Sequence, residues 1–354
     1  MNVNAIIVNY FTADFLPPLL EILQNEKDIS KIVISNNGDR ANLDGLASHY
    51  QKAAVIHHTE NIGFAAAVNK ACLSDKADYY LLLNPDTLPD KGFVRALLST
   101  AIAHDALITG PRFFWDNEKT FRLPPAPGFS WSMGAGLHLA LQSSVEAILT
   151  ANNWVFRHER FWEKTAPFSE TFLSGACMLV KNDNDFFESG KILDDRFFLY
   201  YEDTDLCLRA LLANKPVMVA PDAEVVHYWD KSPGDKKSIF MEESEKLFLE
   251  KHYGKSTPYP EFHITKKQNS ISVFELGEMV NGPEFQIDEK HDSGDFYFEL
   301  GINPIFTPFA QAIGNGETFV FPQGILEGLK PGLYFFRQRT FSNQVLAIWK
   351  WRKV

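Results

Sequence analysis

Two acidic segments and a histidine, far apart in the sequence, carry residue types that could do chemistry together. Asp86 follows the apolar run Tyr79–Leu83, which Pro85 interrupts, so its carboxylate is predicted at the carboxyl end of a buried strand. A second acidic segment, Glu202 to Asp205, precedes a predicted helix, and His227 ends another apolar run. Carboxylates combined with one imidazole suit a divalent cation and a general base.

Each of these residues also has an ordinary structural explanation. An aspartate after a strand is most often a turn residue, and a lone histidine at a strand end is most often structural. Acids in a first helical turn commonly cap the helix and compensate its dipole. Asp205 lies four residues before Arg209, a spacing at which the two side chains can form an ion pair on a helix, and we assign Asp205 to that structural role. Glu202 and Asp203 stay open, since one can cap while the other does chemistry.

The composition is that of a globular protein of two domains. The chain has 354 residues, of which 45% are hydrophobic and 22% are charged. Its net charge of -11 argues against nucleic-acid binding, which depends on Lys and Arg contacts to phosphates. The 3 cysteines form no CxxC pair, and no apolar segment approaches the roughly 20 residues of a membrane span. We therefore expect a cytoplasmic protein, free or peripherally attached to the inner face of the plasma membrane.

The pattern of apolar residues changes near residue 258. Before that point strands and helices alternate, which predicts a mostly parallel central sheet with helices on both faces. After it, short alternating strands separated by turns predict a small all-β domain. The expected division is an α/β domain over residues 1–258 and a β-sandwich-like accessory domain over residues 259–354.

Residues 154–164 mix bulky aromatic side chains with arginine and lysine. This mixture is typical of segments at a membrane interface. It is equally typical of a helix packed on the main domain or on a second copy of the chain, in a homo-oligomer. Both interpretations stay open at the level of the sequence.

Several motifs, taken in order, carry a family resemblance. They are Val8-Asn9-Tyr10, Ser35-Asn36-Asn37-Gly38, Asn61-Ile62-Gly63-Phe64-Ala65 with Asn69, Asn84-Pro85-Asp86, Ser174-Gly175-Ala176, and the run from Asp194 through Glu202-Asp203 to Arg209. Over roughly the first 250 residues the chain resembles inverting family 2 glycosyltransferases with the GT-A fold, in particular the rhamnosyltransferase-like enzymes of bacterial surface polysaccharide synthesis.

The resemblance implies transfer of a sugar, rhamnose or a similar one, from a nucleotide-diphosphate donor to a glycan or lipid-linked acceptor, with inversion. It implies that Asp203 is the general base with Glu202 beside it, and that Asp86 and His227 hold a divalent cation, Mn²⁺ or Mg²⁺. The donor-binding residues that it implies are Val8, Tyr10, Asn36, Asn61, Gly63, Phe64, Asn69, Asn84, Asp86, Gly175 and Ala176.

The sequence departs from the family pattern in places. The family commonly has Asp where Asn36 stands, and Asn84 replaces the first acid of the DXD motif. The alternative function is that of a catalytically inactive transferase-fold protein that binds glycans or acts as a scaffold. The joint presence of Asp86, Asp203 and His227 argues against it. A nucleotidyltransferase or a dehydrogenase would need a glycine-rich loop after the first strand, and residues 10–13 contain no glycine.

Overall fold

The computed structural model describes residues 1–38, 43–229, 236–254, 273–280, 283, 295–315 and 319–354. The strands are β1 Val3–Asn9, β2 Ile29–Asn36, β3 Ala53–His57, β4 Tyr79–Leu83, β5 Thr87–Pro89, β6 Ile108–Phe114, β7 Phe168–Ser169, β8 Cys177–Lys181, β9 Val217–His227, β10 Val273–Met279, β11 Asp295–Gly301, β12 Phe309–Asn315, β13 Gly332–Thr340 and β14 Val345–Lys353. The helices are α1 Leu16–Asn25, α2 Leu43–Ala47, α3 Phe64–Ser74, α4 Phe93–Ala103, α5 Trp131–Ala140, α6 Ser144–Glu163, α7 Glu202–Leu212, α8 Lys237–Tyr253 and α9 Gln323–Gly328.

The chain forms two compact units, and their composition differs from the division expected from the sequence. Met1–Arg112 and Lys164–Pro258 make the first unit, and Phe113–Glu163 and Tyr259–Val354 make the second. Residues 113–163 thus group with the C-terminal segment instead of the α/β domain. The expected boundary near residue 259 lies within residues 255–272, which are outside the described part of the chain.

Buried contacts explain why residues 113–163 group with the C-terminal strands. Val155 of α6 packs in a cluster with Phe309 and Phe335 of the C-terminal strands. The buried Arg339 donates hydrogen bonds to Glu299 and, at 2.8 Å, to Glu159 of α6. An apolar face and a buried ion pair therefore both anchor this helix to the C-terminal sheet.

The first unit is built on a mixed sheet with the strand order β3-β2-β1-β4-β8-β6-β9-β5, in which β7 also pairs with β9. Strands β3, β2, β1 and β4 are parallel neighbours, whereas β8 runs antiparallel to β4. Every residue of β1 and β4 is buried, as their continuous apolar runs predict. The carboxyl ends of the four parallel strands and the start of β8 consequently share one edge of the sheet.

The second unit contains a five-stranded sheet with the order β10-β14-β13-β11-β12. Phe298 and Phe336 lie in an aromatic cluster that includes Ile325 and Leu326 of α9. Phe335, the neighbour of Phe336 along β13, lies in the other cluster with α6, as the alternation of strand side chains requires. Within the described residues, helices rather than a second sheet cover this sheet, which differs from the expected sandwich-like arrangement.

The aromatic and basic segment 154–164 is the second half of α6. Phe161 and Trp162 are buried, and Trp162 Nε1 donates a hydrogen bond to the carbonyl of Leu123 at 3.2 Å. Arg157 donates to the carbonyl of Ala126 at 2.8 Å. These contacts favour the packed-helix interpretation of the segment over the membrane-interface one. No helix among the described residues is both long and apolar enough to cross a membrane.

Candidate active site

Polar residues gather at the edge of the first sheet where the parallel strands end. Asn9 and Asn36, the last residues of β1 and β2, lie opposite one another, and Asn9 Nδ2 donates to Asn36 Oδ1 at 2.8 Å. After β4, the backbone N–H of Asn84 donates to the carbonyl of Ala176 at 2.9 Å. Hydrogen bonds therefore connect the ends of β1 and β2, and separately join the segment that precedes Asp86 to the start of β8.

Asp86 and His227 lie side by side, although 141 residues of sequence separate them. The short β5 pairs with β9 so that Thr87 faces His227, and the N–H of Tyr228 donates to the carbonyl of Asp86 at 3.1 Å. The Asp86 Oδ1 atom is 3.5 Å from His227 Nε2, and both side chains are largely buried. The antiparallel β5–β9 pairing thus brings together the two residues that the sequence assigned to a metal.

The Asp86 and His227 pair fits a divalent cation by the chemistry of its donor atoms. One carboxylate oxygen and one imidazole nitrogen suit Mn²⁺, and oxygen ligands suit Mg²⁺ as well. No group of three or more His, Cys, Asp and Glu side chains able to hold a metal occurs among the described residues. A cation at this pair would therefore depend on further oxygen atoms from water or from a bound phosphate.

Asp203 lies in the first turn of α7, next to the start of β8. Its Oδ2 accepts a hydrogen bond from the N–H of Gly175 at 2.9 Å, and its Oδ1 accepts one from the N–H of Thr204 at 2.7 Å. Burial raises the pKa of Asp203, and the hydrogen bonds from Gly175 and Thr204 oppose that rise. A β-carbon added at Gly175 would lie 3.3 Å from Cβ of Asp203, so glycine permits this close approach.

Glu202 precedes Asp203 and differs from it in its surroundings. Its side chain is buried, and its Oε2 atom has no hydrogen-bond partner in the described part of the chain. Burial, together with the charge of Asp203, raises the pKa of Glu202 to about 8. The charge of Asp203 is one cause of the raised pKa of Glu202, so Asp203 loses its proton first, and Glu202 with its pKa of about 8 is protonated at neutral pH.

The backbone that leads into α7 adopts an unusual conformation. Tyr200 and Tyr201 have φ angles of 71° and 66°, in the left-handed region that residues with a side chain rarely occupy. Each such residue costs on the order of 1–3 kcal/mol, and such strain clusters at functional sites. The hydrogen bond from Asp205 N–H to the carbonyl of Tyr201 at 2.8 Å helps to hold this turn.

Asp205 anchors α7 to α8 and to its own next turn. It is completely buried and accepts hydrogen bonds from Arg209 Nε at 2.9 Å and from His252 Nε2 at 2.8 Å, and it also pairs with Lys251. Burial alone would raise the pKa of Asp205, but the bonds from His252 and Lys251 outweigh it and lower that pKa. The ion pair with Arg209 is thus present as expected from the sequence, and it belongs to a larger buried network.

The Asn61–Phe64 segment, implied to bind the donor, is docked onto the segment before α7. The N–H of Phe64 donates to the carbonyl of Phe198 at 2.7 Å, and a β-carbon at Gly63 would lie 2.7 Å from the same oxygen. Gly63 also has φ of 85°, which favours glycine. Asn61 is exposed and accepts the N–H of Gly63 at 3.0 Å. This loop therefore depends on its contact with the segment that carries the acids.

Asn69, which the resemblance implies in donor binding, makes hydrogen bonds through both ends of its amide. Its Nδ2 donates to the carbonyl of Leu193 at 2.8 Å, and its Oδ1 accepts the N–H of Leu193 at 3.1 Å. The side chain is 2% exposed. Both ends of the amide are thus occupied by one backbone unit, and Asn69 fixes α3 to the loop before Asp194.

The other implied donor residues lie at or near the same edge. Val8 is a buried residue of β1, Tyr10 is half-buried after that strand, and Asn84 is half-buried after β4. Sequence reasoning missed His57, the last residue of β3, whose Nδ1 lies 3.2 Å from Nδ2 of Asn36. Its only signal in the sequence was its place at the end of a strand next to β2.

Comparisons with known proteins agree with this arrangement. Residues 5–164 match the family model Glycosyl transferase family 2. The chain is 27% identical over 248 residues to the rhamnosyltransferase WbbL of Escherichia coli strain K12, across 66% of this chain and 85% of that protein. It is also 27% identical to an N-acetylglucosaminyl-diphospho-decaprenol L-rhamnosyltransferase of Mycobacterium tuberculosis, across 60% of this chain and 70% of that one.

The fold is also similar to that of a solved structure, GalNAc-T7 with UDP, GalNAc and Mn²⁺. The TM-score is 0.50 at 12% sequence identity, over 71% of this chain. This chain spans about half the length of that protein, since the match covers 48% of it. The resemblance to rhamnosyltransferase-like family 2 enzymes with the GT-A fold is confirmed by these comparisons, and the family match ends before Asp203 and His227.

Proposed function

We propose that this chain, a glycosyltransferase of the family 2 type, moves rhamnose or a similar sugar from a nucleotide-diphosphate donor to a glycan or lipid-linked acceptor, with inversion at the anomeric carbon. The names of both relatives support a rhamnosyl donor, and the mycobacterial name supports a lipid-linked acceptor. Nucleotide-sugar transfer also agrees with the GT-A-like fold. The observation that carries the reaction type is the pairing of Asp203, which accepts hydrogen bonds from the N–H groups of Gly175 and Thr204, with a protonated Glu202 at the start of α7.

Asp203 suits the role of general base in a direct displacement. The acceptor hydroxyl would attack the anomeric carbon as its proton passes to a carboxylate oxygen of Asp203, and the bond between that carbon and the diphosphate would break. An ionised carboxylate oxygen accepts more than one hydrogen bond, so the bonds from Gly175 and Thr204 leave room for the hydroxyl. The raised pKa of Asp203 makes it a stronger base than an exposed aspartate.

Glu202 supports this role by staying neutral. A second carboxylate charge beside Asp203 would be costly in a buried site, and the proton on Glu202 removes that repulsion. Its buried Oε2 atom, which lacks a partner among the described residues, adds a polar group that a bound substrate could satisfy.

Asp86 and His227 would hold a divalent cation, which when bound neutralises charge that develops on the departing diphosphate. The oxygen atoms of the donor would complete the coordination that the two side chains begin. Burial of both side chains restricts water around the pair and strengthens their interaction with a charged ligand. The GalNAc-T7 structure contains UDP and Mn²⁺, and its likeness to this chain supports the same type of site.

Replacing Asp203 with asparagine tests the proposed base. Asn keeps the volume of the side chain, and its oxygen can still accept the bond from Gly175, but its NH2 group loses the bond from Thr204 and it cannot take a proton at neutral pH. We expect Asp203→Asn to reduce transfer by at least about 100-fold, the lower end of the usual contribution of a general base. Binding of a nucleoside diphosphate, measured by calorimetry with Mn²⁺, should stay within about threefold of wild type.

The experiment needs a control at a nearby acid without a chemical role. Asp195→Asn is suitable, because Asp195 is exposed and pairs with Lys191 on the surface of the same segment. The control should transfer sugar at the wild-type rate. Turnover of Asp203→Asn close to that of the control would remove Asp203 from the mechanism.

A further inference from the structure

The side chains at the ends of β1, β2 and β3 form a hydrogen-bonded chain whose directions are fixed by backbone donors. The N–H of Thr12 donates to Asn9 Oδ1 at 3.2 Å, and the N–H of Gly38 donates to Asn36 Oδ1 at 3.1 Å. A backbone N–H can only donate, so both amide oxygens are identified and neither amide can be flipped. Asn9 Nδ2 then donates to Asn36 Oδ1.

The orientation of Asn36 determines the protonation of His57. Asn36 Nδ2 carries hydrogens and faces His57 Nδ1 at 3.2 Å, so Nδ1 must accept and cannot itself be protonated. At the other side of the ring, His57 Nε2 lies 3.1 Å from Oδ2 of Asp44, which only accepts when ionised. The ring is therefore the neutral tautomer with its hydrogen on Nε2.

The burial of these groups shows which contact is the stronger constraint. Asn36 is 1% exposed, so water cannot readily replace a hydrogen-bond partner of its amide. The His57 side chain is 23% exposed and that of Asp44 is 78% exposed, so water can replace Asp44. The Nδ1 acceptor of His57 is thus the part of the ring that holds Asn36.

We infer that His57 is a positioning residue for nucleotide recognition, which as the neutral Nε2–H tautomer holds Asn36 and the backbone of residues 36–38 at the donor end of the sheet. The inference rests on the proposed function, because the resemblance places the nucleoside of the donor at this edge. The backbone here is closely packed: a β-carbon at Gly38 would lie 2.9 Å from the backbone nitrogen of Phe11. A rotation of the Asn36 amide would therefore disturb the loops after both β1 and β2.

The same geometry relates Asn36 to the aspartate that is common in the family at this position. An aspartate would accept from Gly38 and Asn9 through one oxygen, but its other oxygen would face His57 Nδ1. Two acceptors cannot bond, so the ring would have to carry a proton on Nδ1, which it lacks in the present arrangement. Asparagine at position 36 thus donates to a neutral histidine at position 57, and this pair carries no charge, whereas an aspartate at position 36 would bring one.

Two substitutions at position 57 test whether the hydrogen-bond acceptor at the Nδ1 position matters more than the rest of the ring. In His57→Asn the amide oxygen can occupy the position of Nδ1 and accept from Asn36, whereas in His57→Gln the polar group reaches toward Asp44 instead. The probes are UDP, dTDP and GDP, each with Mn²⁺, in calorimetric titrations. For the nucleotide that binds the wild type, we expect the Kd of His57→Asn to stay within about threefold of the wild-type value. The Kd of His57→Gln should be about tenfold higher, which corresponds to a loss of about 1.4 kcal/mol in binding free energy. His49→Asn, at an exposed histidine of the same unit, is the control.

A spectrum of the unliganded wild type provides a second measurement that does not need a nucleotide. The ¹⁵N shifts of the His57 ring should show an unprotonated Nδ1 and a protonated Nε2 at neutral pH. A protonated Nδ1, wild-type affinity in His57→Gln, or equal loss in both variants would overturn the inference. If none of the three nucleotides binds the wild type, the proposed donor site fails and the recognition role of His57 fails with it, whereas the spectrum still decides the tautomer.

Discussion

Glu202→Gln should change how the stability of the protein depends on pH. Gln has nearly the same volume as a protonated Glu and is neutral at every pH, so the substitution removes one titration and little else. The pKa of Glu202 is raised from 4.5 to about 8, chiefly by burial and then by the charge of Asp203. In the unfolded chain the group loses its proton near its ordinary pKa, while in the folded protein it keeps it.

The sign of the effect follows from where the proton is bound. Between the unfolded pKa of 4.5 and the folded pKa of about 8, the folded state binds more protons than the unfolded state, so a rise in pH destabilises the wild type. The slope is at most about 1.4 kcal/mol per pH unit, or about 4 kcal/mol between about pH 5 and about pH 8. Glu202→Gln lacks this titration, so its free energy of unfolding relative to that of the wild type should increase as the pH rises through this range.

Urea unfolding of both proteins at several pH values measures this difference. Groups that do not interact with Glu202 titrate equally in the two proteins and cancel when the free energies of unfolding are subtracted. Glu243→Gln, at an exposed position of α8, is the matched control for the substitution itself. A difference for Glu202→Gln that does not depend on pH would refute the protonated, buried state on which the division of roles with Asp203 depends.

Three further substitutions test the positions of other site residues. Asp86→Ala should weaken donor binding and should also abolish the dependence of that binding on Mn²⁺. If the wild type binds the donor equally well in chelator and in Mn²⁺, the metal role is contradicted. Gly175→Ala places a β-carbon 3.3 Å from Cβ of Asp203 and should slow turnover about tenfold with unchanged donor affinity. Asn69→Ala removes both bonds to Leu193 and should lower the free energy of unfolding by about 2 kcal/mol in urea titrations.

The pattern of apolar residues predicted much of the first unit. Continuous apolar runs such as Ala5–Val8 and Tyr79–Leu83 are buried strands, and the polar residues that follow them, Asn9 and Asp86, lie at one edge because parallel strands end together. Asp86 and His227 were each predicted at a strand end. Their proximity depends on the short antiparallel pairing of β5 with β9, which involves residues that carry no distinctive pattern of their own.

Other features could not be predicted because they depend on which surfaces meet. The periodicity of α6 shows that one face is buried, but it does not say that Val155 packs with the C-terminal strands. Asn69 looks the same in the sequence whether its amide binds a ligand or the backbone of Leu193. His57 gains its role from the register of β2 and β3, which places it opposite Asn36.

We call the Asn61–Phe64 segment, which we propose binds the donor, the donor loop. The segment from Phe198 to Asp203 links this loop to the proposed base. Phe198 accepts the N–H of Phe64 through its carbonyl, and Leu199 accepts the hydroxyl of Ser244 at 2.8 Å. The strained Tyr201 that follows packs its ring against Phe248, at 5.6 Å between centroids. Because α8 holds this segment at both points, displacement of the segment would shift the donor loop and Asp203 together. We therefore expect substitutions in α8 to change donor affinity and turnover jointly, although α8 contributes none of the proposed chemical groups.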